Sequence, residues 1–148
     1  MQKLIDSLTE NKKVNIKGKD YYVKSKVLYT IEEDKSVYYF KYELSENLNM
    51  IIIPDDDLLY IGKVVNDLDW KRISENEIQY NGEIYHKTGG GHQIISKIEF
   101  GNEEEVEGKC IFEDYECLNH IISIGVLTEK NIRADLYAEI IQKEDIIF

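Results

Sequence analysis

The segment Tyr38-Tyr39-Phe40-Lys41-Tyr42-Glu43-Leu44 has a second copy in the chain, Ile111-Phe112-Glu113-Asp114-Tyr115-Glu116-Cys117. Each copy places an aromatic residue three positions before a Tyr-Glu pair. A Gly-x-x-Tyr turn precedes each copy and an apolar run follows it, and these flanking segments are 18–21 and 50–53 for the first copy and 82–85 and 121–124 for the second. This order predicts a β-rich fold built from two related halves.

The first copy alternates in the way that a half-buried strand does. Tyr38, Phe40, Tyr42 and Leu44 fall on one face of a strand, and the residues between them fall on the other. Because successive side chains of a strand point to opposite faces, the sequence predicts that the four apolar residues face the core.

About ten short runs of this kind, separated by turn residues, indicate a mainly antiparallel all-β domain, either a sandwich or a barrel. We expect half-units at about 12–66 and 70–148, joined near 66–69, and a short amphipathic helix within 2–10. The segment 134–141 fits either a strand or a helix. The chain of 148 residues has the size of a single domain.

The composition narrows the classes of partner. The formal net charge is -11, so the surface repels phosphate backbones and anionic lipid headgroups. We therefore expect no nucleic-acid partner and no membrane insertion. With two cysteines and no secretory signal pattern at the N-terminus, the sequence favours a cytoplasmic protein with reduced thiols. The oligomeric state is left open.

The order of the turn glycines, aromatic-x-x-Tyr-Glu pairs and apolar strands resembles the bacterial family known as domain of unknown function 4178. The resemblance covers 14–146. It implies a non-enzymatic bacterial module linked to envelope stress and membrane remodelling, and it brings no catalytic residues with it.

The residues that could ligate zinc or act as nucleophiles do not form a known pattern. His86, His92, His120, Cys110 and Cys117 lack the close pairs of a zinc site. Cys117 and His120 are three apart, a spacing that points two side chains of one strand to opposite faces. We expect no metal, no cofactor and no catalytic set.

Two segments stand out as candidate contact surfaces for a partner. Thr88 precedes Gly89, Gly90, Gly91 and His92, which we interpret as a flexible hairpin tip with His86 nearby. Asp55, Asp56 and Asp57 follow the single proline and form an acidic turn.

These observations favour a non-enzymatic module that binds another protein, with a basic protein as one option, through a strand edge or through these two segments. One alternative is an acidic immunity-type protein that neutralises a basic toxin. The other is a small hydrolase or ligand-binding enzyme in a barrel mouth, with a deep pocket that contains at least two of His86, His92, His120, Glu43 and Glu116. Tyr38, Tyr42, Phe112 and Tyr115 are the aromatic residues that such a mouth would use.

Overall fold

The computed structural model describes residues 1–65, 68–101, 110–127 and 132–148, and the following statements concern these residues. They form one short α-helix and twelve strands: α1 (Gln2–Ser7), β1 (Lys13–Ile16), β2 (Lys19–Ile31), β3 (Asp34–Leu44), β4 (Asn49–Ile53), β5 (Leu58–Val65), β6 (Lys71–Ser74), β7 (Glu77–Tyr80), β8 (Glu83–Phe100), β9 (Cys110–Cys117), β10 (His120–Leu127), β11 (Ile132–Ile140) and β12 (Ile146–Ile147). The described part of the chain has no helix long and apolar enough to cross a membrane.

Eight strands close into an antiparallel barrel. Strands β2 to β5 form one four-stranded meander, and β8 to β11 form another. The two meanders join where β5 pairs with β11 and where β2 pairs with β8. The last strands of the two meanders therefore pair at one joint and the first strands pair at the other. Every strand of the barrel has a partner on both sides.

Strand β8 makes the closure possible through its length of eighteen residues. Its first part pairs with β7, its middle with β9, and its last part, from Gln93 to Phe100, with β2. Gln93 is the position at which the partner changes, because it pairs with both Cys110 and Ile31. The strand thus crosses from one meander to the other.

The two copies of the aromatic motif occupy corresponding strands, β3 and β9. Tyr42 and Tyr115, the tyrosines of the two Tyr-Glu pairs, are both fully buried. Tyr42 contributes to a first outer core beneath α1, which contains Leu4, Ile5, Leu8, Tyr42, Leu44, Met50 and Ile52. Tyr115 contributes to a second outer core beneath the β6–β7 hairpin, which contains Leu68, Ile78, Tyr85, Tyr115, Ile122 and Ile124. Each half is thus covered on its outer surface.

A buried carboxylate fastens the segment that leads into the β6–β7 hairpin. Asp135 Oδ2 accepts hydrogen bonds from Trp70 Nε1 at 3.2 Å and from Arg133 Nε at 2.8 Å. Arg133 also donates to the carbonyl of Leu68 at 2.6 Å, and its guanidinium lies 4.9 Å from the centre of the Trp70 ring. Hydrogen bonds and a cation–π contact therefore act together with apolar burial at this point.

The structure confirms the mainly antiparallel β fold with a short N-terminal helix, and it resolves the alternative in favour of a barrel. The helix ends at Ser7, and the ambiguous segment 134–141 lies in strand β11 up to Ile140. Tyr42 and Leu44 face a core as predicted, although this core lies outside the barrel wall. The expected joint at 66–69 falls partly outside the described residues.

The two equivalent tyrosines differ in how their hydroxyl groups are satisfied, and this difference predicts opposite effects on stability. The Tyr42 hydroxyl is buried without a hydrogen-bond partner, whereas that of Tyr115 accepts from Arg72 at 3.2 Å and donates to Glu113. We expect Tyr42→Phe to raise the free energy of unfolding by about 1 kcal/mol and Tyr115→Phe to lower it by about 1 kcal/mol. Urea unfolding of both variants measures this difference, and shifts of the same sign would contradict it.

Candidate functional site

The interior of the barrel is lined by the residues that alternate with those of the outer cores. Its apolar part, the interior cluster, consists of the buried residues Ile51, Tyr60, Ile121 and Ala138, with Tyr39 and Leu136 among the half-buried residues against them. These residues come from β3, β4, β5, β10 and β11, so the cluster reaches across most of the barrel. An eight-stranded barrel has room for such side chains or for one small ligand.

Polar side chains lie on the same inner face. The Tyr39 hydroxyl donates to Gln93 Oε1, and the Tyr39 ring stacks on that of Tyr29 with centroids 5.3 Å apart. Burial raises the pKa of Tyr39 and of Tyr60 well above the ordinary value for tyrosine. Both phenols keep their protons at neutral pH, and that of Tyr39 donates a hydrogen bond.

Asp114 is a carboxyl group on the inner face of β9. It pairs with Ser123 across β9 and β10, and the Ser123 side chain is its hydrogen-bond partner. The other oxygen, Oδ1, is buried without a hydrogen-bond partner. Burial raises the pKa of Asp114, and the bond from Ser123 offsets this only in part. The group is thus an incompletely satisfied acid inside the barrel.

We use the term interior polar site for Tyr39, Gln93, Asp114 and Ser123. All four keep part of their surface accessible to a water-sized probe, although burial dominates the pKa of Tyr39 and of Asp114. The four residues are therefore partly accessible, whereas the Oδ1 atom of Asp114 itself is buried.

Cys110 lies near this site at the start of β9. A Cβ atom on Gly125 would lie 3.4 Å from its Sγ, which places the thiol against the backbone of β10. Burial raises the pKa of Cys110, and burial together with the Glu83 carboxylate raises that of Cys117. Both thiols are therefore protonated at neutral pH, the less nucleophilic form.

The structure corrects the expectation of a flexible glycine tip. Gly89, Gly90 and Gly91 lie within β8 and pair with Asp114, Glu113 and Phe112. A Cβ on Gly90 would lie 2.8 Å from the carbonyl oxygen of Phe112, so close strand packing is one reason for glycine there. The segment is part of the barrel wall, and its role as a partner contact stays a prediction.

The other predicted contact residues are distributed over the surface. His86 lies 3.6 Å from Glu77, whereas His92 contacts Glu33 in the β2–β3 turn. Asp55, Asp56 and Asp57 are exposed in the turn between β4 and β5, which antiparallel connectivity places at the same end of the sheet as the β2–β3 turn. His92 and the acidic turn therefore share one end of the barrel.

A second correction concerns Cys117 and His120. The two residues flank the β9–β10 turn and pair directly across it, so they lie on the same face of the sheet. His120 stacks on Tyr137 with ring centroids 5.5 Å apart. The spacing of three therefore crosses a turn between two strands and does not lie within one strand.

One groove formed by the described residues does not fit the pocket expected for a hydrolase. That groove, of about 560 Å³, is lined by Val65, Leu68, Asp69, Lys71, Gln79, Tyr80, Asn81 and Gly82. It contains none of His86, His92, His120, Glu43 and Glu116. Tyr42 and Tyr115, considered as residues of a barrel mouth, are buried in the outer cores instead.

Sequence reasoning missed the interior polar site, although a signal for it was present. Asp114 occupies the position in the second aromatic motif that Lys41 occupies in the first. Once Tyr115 is assigned to an outer face, alternation places Asp114 on the inner one. The acidic surroundings of Asp114 in the sequence concealed this position.

Comparison of the chain with protein-family models, with curated proteins and with solved structures finds no match. The proposed function therefore rests on the arrangement of side chains inside the barrel.

The raised pKa of Asp114 predicts a pH-dependent effect of Asp114→Asn. The folded state holds this proton more tightly than the unfolded state, so the carboxyl destabilises the fold as pH rises through its native pKa. Asparagine does not titrate. We expect the stability of Asp114→Asn relative to the parent to increase between about pH 4 and about pH 7.5, as measured by urea unfolding.

Asp34→Asn provides a control of opposite sign. Hydrogen bonds from the side chain and backbone of Ser36 lower the pKa of Asp34, so this carboxylate stabilises the fold above its unfolded pKa. The relative stability of Asp34→Asn should fall between about pH 2 and about pH 5 and stay nearly constant from there to about pH 7.5. A pH-independent difference between Asp114→Asn and the parent would refute a buried, proton-retaining carboxyl.

Proposed function

We propose that this protein is a non-catalytic binding module whose barrel interior takes a small, largely apolar molecule with at least one hydrogen-bonding group. The observation that carries the proposal is the unsatisfied, buried Oδ1 of Asp114 on the inner face of the barrel. Buried polar atoms of folded proteins almost always have a partner, and a buried atom without one needs an explanation. A bound ligand supplies that partner.

The lining favours a ligand that is apolar over most of its surface. Ile51, Ile121 and Ala138 offer contact area without polar atoms. Asp114, Ser123 and Gln93 offer a few convergent hydrogen-bonding groups, which fix orientation. Small-molecule sites commonly combine apolar walls with a few polar groups in this way.

The ionisation of the phenols and of the Cys110 thiol favours ligand binding over catalysis by these groups. Burial holds the phenols of Tyr39 and Tyr60 and the thiol of Cys110 in their protonated forms. General bases and nucleophiles work when their pKa lies near the operating pH or below it. These groups suit the donation of hydrogen bonds to a ligand.

A substitution on the inner face of the barrel tests the proposal. Ser123→Leu adds apolar volume beside Asp114, and it should lower the affinity for the neutral probe N-phenyl-1-naphthylamine at least about tenfold, which corresponds to about 1.4 kcal/mol. The measurement is the increase in probe fluorescence on titration. Mass spectrometry of solvent extracts from the purified proteins should also recover a small molecule from the parent and not from Ser123→Leu.

Ser96→Leu is the matched control, because Ser96 lies on the same barrel but is exposed. It should bind the probe as the parent does, and circular dichroism should show that both variants are folded. Equal probe affinity in the parent and in Ser123→Leu would contradict an interior site. So would the same extracted molecules from both proteins.

A second candidate function is contact with another protein by strand addition, and edge strand β6 favours it. Strand β6 is the last in the sheet order of the described residues, and all four of its residues are exposed. Ile73 keeps 48% of its surface accessible at this edge. An extended peptide that pairs with such an edge gains main-chain hydrogen bonds and a side-chain contact.

Ile73→Asp tests this contact against Ile84→Asp. Ile84 is similarly exposed, at 43%, but it lies on β8, which already pairs with β7. A partner captured from cell extract by the parent and by Ile84→Asp should be lost with Ile73→Asp. Equal capture by all three proteins would exclude β6 as the contact.

A further inference from the structure

The β2–β3 turn packs against β8 at the place where the barrel closes. Ile31, the last residue of β2, pairs with Gln93, and the next residue, Glu32, donates its backbone N–H to the carbonyl of His92 at 2.8 Å. The main chain thus fixes the distance between the turn and His92. The side chains of Glu32, Glu33 and His92 meet at this contact.

The Glu33 carboxylate is held in place by the backbone of β8. Its two oxygens lie 3.0 and 2.8 Å from the backbone nitrogen of His92, and Oε1 also contacts His92 Nδ1. The hydrogen bond from the His92 backbone is the main cause of the lowered pKa of Glu33, so the group remains a carboxylate. A Cβ on Gly91 would lie 2.4 Å from Glu33 Oε2, and this approach therefore requires glycine.

Three ligand atoms converge at this point. Glu32, Glu33 and His92 each offer one atom, and these atoms all lie within 4.8 Å of one another. Ligands of a bound zinc ion lie roughly 2.0–2.2 Å from the metal, so modest side-chain rotations would bring the three atoms into a shared coordination shell. Imidazole nitrogen together with carboxylate oxygen suits zinc better than calcium or magnesium, which prefer oxygen alone.

We propose that Glu32, Glu33 and His92 bind a divalent transition-metal ion, with zinc as the best fit, and that this ion fastens the closing seam of the barrel. His92 would bind the ion as a neutral imidazole, with its proton on the nitrogen that does not bind the metal, and water would complete the coordination. Two carboxylates that meet on a chain of net charge -11 repel each other, and a cation between them removes this repulsion. Because the ligands belong to the β2–β3 turn and to β8, the ion ties the first meander to the second.

The chain contains an internal reference for this proposal. His86 Nδ1 lies 3.6 Å from Glu77 Oε2, so this pair also joins an imidazole to a carboxylate on the surface. Among the described residues, no third ligand forms a metal-binding group with that pair. The pair therefore controls for adventitious binding by a surface histidine and its acidic neighbour.

The experiment is a zinc titration by isothermal calorimetry on the full chain in a Cys110→Ser/Cys117→Ser background, which removes thiolate binding. We expect about one equivalent of zinc to bind. His92→Gln and Glu32→Gln should each weaken binding at least about tenfold, as loss of a ligand or its support does. His86→Gln should bind zinc as the background protein does. Zinc should also raise the midpoint of thermal unfolding for the background protein and for His86→Gln only.

Three outcomes would overturn the proposal. The first is the absence of zinc binding by the background protein. The second is equal binding by His92→Gln and the background protein, and the third is an equal loss in His86→Gln and His92→Gln. Circular dichroism separates loss of a ligand from loss of fold, because His92 and Glu32 lie at the surface and their variants should keep the spectrum of the background protein. A preference for manganese over zinc with the same ligand dependence would retain the site and change only the metal.

Discussion

The pairing of β2 with the last part of β8 is the constraint on which the structure depends, because it turns an open sheet into a barrel. Without it, two long strands would expose unpaired backbone groups along their edges, a costly and association-prone arrangement. Closure also defines an inside and an outside for every strand of both meanders. The interior cluster and the two outer cores exist only because the sheet closes at this seam.

The two halves share a framework but have diverged at the inner positions of the repeated motif. In the first copy, Lys41 pairs with Ile51, and in the second, the corresponding Asp114 pairs with Ser123. The outward tyrosines keep their positions, and both are fully buried. The outer cores thus preserve the common architecture, whereas the interior differs between the halves. The uncompensated acid lies on the inner face of the second half.

The sequence predicted the strands well because period-two alternation records burial on one face. Closure was harder to predict, since the outer face of this barrel is also covered, by α1 in one half and by the β6–β7 hairpin in the other. Alternation then marks two buried faces without telling which one is inside. Rules that use only the local sequence also failed at two places. Gly90 allows close strand packing and does not form a hairpin tip, and Cys117 and His120 pair across a turn between two strands. The cluster of Glu32, Glu33 and His92 could not be predicted, because β8 brings His92 to Glu33 from 59 residues away.

The two buried acids Asp114 and Asp135 differ in how their carboxylates are compensated. Asp135 leaves Oδ1 without a partner, but its Oδ2 accepts from Arg133 and Trp70, so the charge is balanced and helps to fasten the approach to the hairpin. The hydrogen bond of Asp114 comes from the neutral Ser123, and burial of its orphan oxygen costs about 1–3 kcal/mol. Strand pairing does not require an acid there, since Lys41 occupies the corresponding position in the first half. The cost of Asp114 is therefore a feature that the proposed interior ligand would explain.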